Sequence, residues 1–166
     1  TRFKYGGLTQ PGLYLDETVT RMCYTHRRLF AQLASHLIEE GKNDQAKKAL
    51  LYCDKQIPDY NVGLTYMSGA HEMAKDFALL GMKNKARKYI TAVFNNAKQY
   101  ANYYSSFTGN TLAGYQQDAM MQFYIMNNCI DVAEMIDKKL ADQFLKALAA
   151  VTNLYQANGG QMMQYE

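Results

Sequence analysis

The stretch Gly41-Lys42-Asn43-Asp44-Gln45-Ala46 returns forty positions later as Gly81-Met82-Lys83-Asn84-Lys85-Ala86. Each copy is a glycine, a short polar run and an alanine, flanked on both sides by segments whose apolar residues recur every three or four positions. A glycine at such a place ends a helix, because the capping residue needs positive φ. The Asp44 or Asn84 three residues on is then suited to start the next helix as its N-cap. A weaker third copy is Asn128-Cys129-Ile130-Asp131-Val132-Ala133, in which asparagine, the next most tolerant residue of the left-handed conformation, replaces glycine. The unit is an antiparallel helix pair. A repeat of this length predicts a helical solenoid, a class that holds partners more often than it carries chemistry.

Around those corners the apolar spacing outlines the rest of the chain. Residues 1–15 hold Gly6, Gly7, Pro11 and Gly12 between aromatic residues and read as an extended lead-in lying against the helices that follow. From Asp16, a good N-cap, the positions Val19, Met22, Cys23, Leu29, Phe30, Leu33, Ala34, Leu37 and Ile38 keep helical spacing to Gly41. Ala46, Ala49, Leu50 and Cys53 mark the antiparallel partner, which Pro58 closes. The segment 101–114, rich in Tyr, Ser, Asn and Gly, reads as the longest loop. Helices are expected at about 115–127 and 131–156. The whole is a single domain over 16–158, with pairs at about 16–58, 63–100 and 114–157 and a fraying tail over 159–166.

The positions around the corners resemble the tetratricopeptide repeat. With Gly41 and Ala46 set on that family's turn glycine and second-helix alanine, Phe30, Leu33, Ala34 and Leu37 fall on its large-large-small-large positions. Leu50, Cys53 and Pro58 fall on its large, small and terminal proline positions. In the second copy Met73, Ala74, Phe77, Ala86, Ile90 and Val93 fit, while Ala70 replaces a large residue and Lys98 stands for the proline. In the third, Met120, Met121, Tyr124 and Ala133 fit, but Asp137 takes a core position. The forty-residue spacing exceeds the family's thirty-four, so the connection near Pro58 to Gly63 must be longer. The resemblance implies an all-α superhelix of antiparallel helix pairs whose concave face is lined by the first helix of each pair. On that face the family's peptide-carboxylate clamp would need lysine and asparagine. This chain offers Ala31 and Ser35, then Ser68, His71, Glu72 and Lys75, so the clamp is not expected.

A second resemblance spans most of the chain. Phe3-Lys4-Tyr5-Gly6, Leu13-Tyr14-Leu15-Asp16-Glu17 with Arg21-Met22, Phe30-Ala31-Gln32-Leu33-Ala34 and Leu37-Ile38-Glu39-Glu40-Gly41 are similar to the C-terminal soluble region of a bacterial family of multi-spanning membrane proteins. The membrane part of that family is similar to protein O-mannosyltransferases. This resemblance implies a soluble, extracytoplasmic domain of a membrane-anchored glycosyltransferase-like protein, without its catalytic half. A chain that begins at Thr1 rather than methionine is expected to be a piece of a longer one, so a missing signal peptide says little about address.

Composition narrows the function classes. With 48% hydrophobic and 20% charged residues the chain is globular. Its formal charge of +3 is too mild to demand nucleic acid or an anionic membrane. The longest apolar run, Leu29 to Ile38, is interrupted by Gln32, Ser35 and His36 and cannot span a bilayer. Cys23, Cys53 and Cys129 are odd in number, widely spaced and on apolar stripes, so buried free thiols are expected rather than a disulfide or zinc framework.

His71-Glu72 begins like H-E-x-x-H, but Lys75 stands where the second zinc ligand belongs. His26 and His36 are scattered, and Glu39 and Glu40 diverge on a helix. No nucleophile elbow or phosphate loop is present, so neither an enzyme nor a cofactor is expected. Between Asp76 and Asp118 there is no acidic residue, whereas Lys83, Lys85, Arg87, Lys88 and Lys98 are interleaved with Tyr89, Phe94, Tyr100, Tyr103, Tyr104 and Phe107. That pattern suits single-stranded nucleic acid or a glycan with acidic groups, but it is more often a solvated helix face with core aromatics. The leading expectation is a non-catalytic interaction or scaffold domain that binds a protein or peptide through Ser35, Ser68, His71 and Lys75 and through the aromatic cluster Tyr100, Tyr103, Tyr104 and Phe107. The alternative is a glycan- or polyanion-binding module using Lys85, Lys88 and the same aromatics. Nucleic acid is not expected.

Overall fold

The computed structural model describes residues 5–161. Thr1 to Lys4 of the expected lead-in, with Phe3 and Lys4 of the second resemblance, lie outside those residues, as do Met162 to Glu166 of the expected tail. The described chain is all-α: α1 (Glu17–Glu39), α2 (Asn43–Gln56), a 3-10 turn (Tyr66–Ser68), α3 (Ala70–Leu79), α4 (Lys83–Ser105), α5 (Gly109–Gly114), α6 (Gln116–Ile136) and α7 (Lys138–Ala157), with no strand. The described residues form two compact units that divide between Tyr89 and Ile90, within α4.

In the first unit the two repeated corners are built alike. Gly41 and Gly81 take φ of +74° and +76°. At the first corner Gly41 N–H donates to Ile38 O at 2.9 Å and Lys42 N–H to Leu37 O at 2.7 Å. At the second, Gly81 N–H donates to Ala78 O at 3.0 Å and Met82 N–H to Phe77 O at 2.8 Å. These bonds satisfy carbonyls that the helix end would otherwise leave open. The next helix starts earlier than the side chains suggested. α2 begins at Asn43 behind Lys42, which makes no side-chain cap, so Asp44 lies inside the first turn, as Asn84 does in α4. Asp16, by contrast, caps α1 as expected, its Oδ1 accepting from Val19 N–H at 2.8 Å.

Alanines 31, 34, 46, 70, 74 and 86 are buried at these contacts, where small side chains let helices approach closely. Met73, Phe77, Leu50 and Ile57 fill the remaining space, each worth about 1.5–3 kcal/mol of burial. Leu33, placed on a core position by the repeat pattern, is 48% exposed instead. It lies about 100° round α1 from the buried Ala34.

The long connection between α2 and α3 is held by a buried arginine. Arg27 on α1 has no accessible surface, and its guanidinium donates to Ile57 O (3.1 Å), Val62 O (2.8 Å) and Gly63 O (2.9 Å). These carbonyls belong to no helix, and the guanidinium supplies the donor that the buried ones of Ile57 and Val62 need. From the other side the lead-in closes over the connection. Asn61 Nδ2 donates to Leu8 O and Gln10 O, and Tyr60 Oη donates to Thr9 O. Gly69 then turns the chain into α3 so close to α1 that a Cβ there would meet the Arg28 backbone at 3.0 Å.

In the second unit, Ile90, Val93, Phe94, Ala97, Ala101 and Ser105 form the buried stripe of α4. The helix therefore continues through what reads in sequence as a loop over 101–114, leaving only residues 106–108 between α4 and α5. The third corner is also displaced. Asn128 to Ala133 lie inside α6, where Cys129, Ile130, Val132 and Ala133 are all buried. Without a glycine there the helix runs on to Ile136. The chain turns at Asp137, whose extended backbone and Oδ1, accepting from Lys139 N–H at 2.9 Å, start α7. Met121 and Tyr124, expected in the core, are exposed. Phe94 and Phe144 stack in parallel at 3.8 Å, Phe123 meets Tyr155 edge-on at 5.4 Å, and Asn158 Nδ2 caps α4 through Ser105 O at 2.7 Å.

Candidate functional site

The groove residues expected in the first unit are mostly engaged within it. Ser68 has no accessible surface; its Oγ donates to Thr65 O and accepts from Thr65 N–H, closing the 3-10 turn. Ser35 on α1 donates to the Asp76 carboxylate on α3, at 3.1 and 3.0 Å from its two oxygens. His71 is half-buried with its ring 5.3 Å from Tyr66. Lys75 is exposed. Asp76, which the sequence reading passed over, is the charged group of this region: 3% exposed, its carboxyl is pushed up to about 6, chiefly by burial.

The two lysines expected to meet a polyanion are paired with carboxylates of their own unit. Lys85 Nζ lies 2.5 Å from Asp54 Oδ2, and Lys88 Nζ lies 2.8 Å from Asp59 Oδ1. Tyr89, fully buried, donates to Asp54 Oδ1 at 2.6 Å. Burial works to raise the Asp54 carboxyl, but the bonds from Lys85 and Tyr89 prevail and hold it below its ordinary value. These contacts fasten the first turns of α4 to α2 and its following loop.

The aromatic residues of the second unit do come together. Tyr100, Tyr103, Tyr104 and Phe107 are spaced so that the helical ones share a flank of α4 beside its buried stripe. Tyr103 meets Tyr104 at 5.4 Å and Phe107 at 4.9 Å, both edge-on. Tyr115, between α5 and α6, adds a fifth ring, stacked on Tyr104 at 5.5 Å and 5.4 Å from Phe107. Tyr103 is 57% exposed, Tyr100 48% and Tyr115 42%. Burial, then the carboxylate of Asp118, raise the Tyr104 phenol above its ordinary value. The surface is neutral phenol and ring, with one carboxylate acting on it. Tyr115 was missed because it lies outside the lysine-rich stretch. The helical spacing of 100, 103, 104 and 107 was the signal that this segment is not a loop.

The three cysteines are buried and free, with Cys53 and Cys129 pushed up to about 12 by burial. Among the described residues no group of three His, Cys, Asp or Glu side chains could hold a metal ion, and no helix is long and apolar enough to cross a membrane. No protein-family model matches the chain, and neither a curated protein nor a solved structure is significantly similar to it.

Proposed function

We propose that this chain is a non-catalytic interaction domain that holds its partner through the aromatic face formed by Tyr100, Tyr103, Tyr104, Phe107 and Tyr115. The carrying observation is that these five rings touch one another while three of them stay more than 40% exposed. Tyrosine offers large contact area at little cost in side-chain entropy, and aromatic residues are enriched in protein interfaces. The preferred partner is a protein. Most of the rings stand on the last turns of a long helix, so the surface is already ordered before a partner arrives.

In the same proposal the helix pairs α1–α2 and α3–α4 are tetratricopeptide-like repeats, a reading supported by their identically bonded glycine corners. Attachment to a membrane glycosyltransferase-like protein rests on the sequence resemblance and is tested by hydrophobic spans encoded upstream of Thr1 in the gene. A neutral glycan is the second reading, favoured by phenol hydroxyls beside Asp118. A polyanion is less well supported, since Lys85 and Lys88 already have carboxylate partners.

The test replaces Tyr100 and Tyr103 together by alanine in the full-length protein. Loss of a co-purifying protein with helicity unchanged supports the proposal, and retention of that partner overturns it. Titration of the wild-type domain with neutral oligosaccharides separates the second reading: binding that is lost in the same double variant, without a protein partner, would favour the glycan.

A further inference from the structure

We propose that the aromatic face of the second unit takes an arginine side chain of its protein partner, whose guanidinium lies flat on an exposed ring and pairs with the carboxylate of Asp118. This rests on the reading of the five rings as the docking face and names what they dock. Tyr103, Tyr104, Tyr115 and Phe107 form a closed circuit, each ring in contact with the next at 5.4, 5.5, 5.4 and 4.9 Å. Tyr100 extends it from Tyr104 at 6.4 Å, its ring 24° from parallel. Rings packed on one another in this way offer a layer of outward faces. A planar guanidinium fits such a layer by stacking, whereas a rounded ammonium is held best where rings stand around it.

Charge selects the same ligand. Asp118 is the only Asp, Glu, Lys, Arg or His between Lys98 and Asp131. It is exposed, and no ion pair among the described residues uses it. Lys98 stands two residues before Tyr100 and five before Tyr103, so it lies about 140–160° round α4 from both. α4 has no basic residue in its last turn, so the negative end of its dipole, where Tyr103 and Tyr104 stand, has no cation of its own. Burial and then Asp118 raise the Tyr104 phenol, and the other groups acting on it are phenols that raise it too; no basic side chain offsets the carboxylate there. Asp118 also stands in the first turn of α6, where a carboxylate answers the positive helix end, so its charge alone would not mark a site. An uncompensated carboxylate beside open ring faces does. A guanidinium answers both at once, by a forked pair and a stack; a lysine ammonium is only a point charge, and a neutral sugar can stack but leaves the charge unanswered.

The experiment titrates the full chain with glycine-spaced pentapeptides that differ only in carrying arginine, lysine or citrulline, following the ring proton resonances of Tyr100, Tyr103 and Tyr115. Citrulline keeps the shape of arginine without its charge. The arginine peptide should move the rings at millimolar concentration and bind about threefold more tightly than the lysine peptide, with citrulline weaker than either. Asp118→Asn should lower its affinity about threefold, and the loss should shrink as salt is added. Equal shifts from the arginine and citrulline peptides, a comparison made on the wild-type chain alone, overturn the proposal. So does an Asp118→Asn chain that is folded by circular dichroism and binds the arginine peptide as wild type does. Displacement of that peptide by tetramethylammonium more readily than by guanidinium would mean a cage for a rounded cation and overturns it as well. If the Tyr100 and Tyr103 double alanine variant loses its co-purifying partner while the arginine peptide leaves the rings unmoved, the docking face stands and the arginine falls. If the double variant keeps its partner, the docking face itself falls.

Discussion

The interior of the first unit contains Arg27, Ser68 and Asp76 with no more than a trace of accessible surface, and Asp54 and Tyr89 are bonded at its edge. The interior of the second is built from Phe94, Phe123, Met126, Ile130, Phe144, Val151 and Tyr155, with Ser105 its buried polar side chain among the described residues. The first unit has a long connection to hold, residues 57–65, whose carbonyls no helix satisfies, and it meets that demand with charge. The second joins its helices by short turns and meets little such demand, so apolar area suffices. Buried polar groups specify one arrangement at the cost of sensitivity to their partners, while apolar packing depends mainly on volume.

That contrast can be broken most directly at Arg27. Arg27→Met should destabilise the first unit by about 3–5 kcal/mol in urea unfolding, because the buried carbonyls of Ile57 and Val62 and the part-buried one of Gly63 lose their donor. A loss below 1 kcal/mol would mean that the connection is held by something else. Phe144→Ala should cost about 3 kcal/mol by removing the ring stacked on Phe94, with no change in the shape of the pH profile. A pH-dependent loss would erase the distinction between the units.

The pH profile itself sharpens it. Asp76, raised to about 6, adds stability as pH falls from 7 towards 4, by at most about 3 kcal/mol. Asp54, lowered by Lys85 and Tyr89 against its burial, contributes stability that is present above its unfolded value and lost as pH falls through its folded one. Thermal unfolding of wild type should therefore show a maximum on the acid side of neutrality, and Asp76→Asn should flatten the approach to it from pH 7. Gly69→Ala should cost about 2 kcal/mol, since alanine at φ +76° is strained and its Cβ meets the Arg28 backbone. Calorimetry showing no shift would place the close approach in doubt. Smallest of all, Tyr103→Ala should change stability by less than about 0.5 kcal/mol because its ring is mostly in water, while partner capture falls.

The glycine corners were legible because the code for ending a helix is local: Gly41 and Gly81 need only their own backbone and the carbonyls three to five residues back. Where the same reading was extended to Asn128 it failed, since asparagine can adopt positive φ but is not forced to, and the buried run from Cys129 to Ala133 carries the helix onward. The segment 101–114 misled for a related reason. Its composition is that of a loop, yet Ala97, Ala101 and Ser105 are small enough to pack, and the spacing of the aromatics is helical.

All-helical architecture, the place of two corners and the N-cap of α1 were thus determined by sequence alone, each by interactions spanning a few residues. Which side chains are buried, and which charges meet, was decided by the tertiary structure. Arg27 reaches carbonyls thirty to thirty-six positions away, and Ser35 reaches Asp76 across forty-one. A serine or an arginine on a helical stripe has many acceptors open to it in the unfolded chain, and only packing selects one.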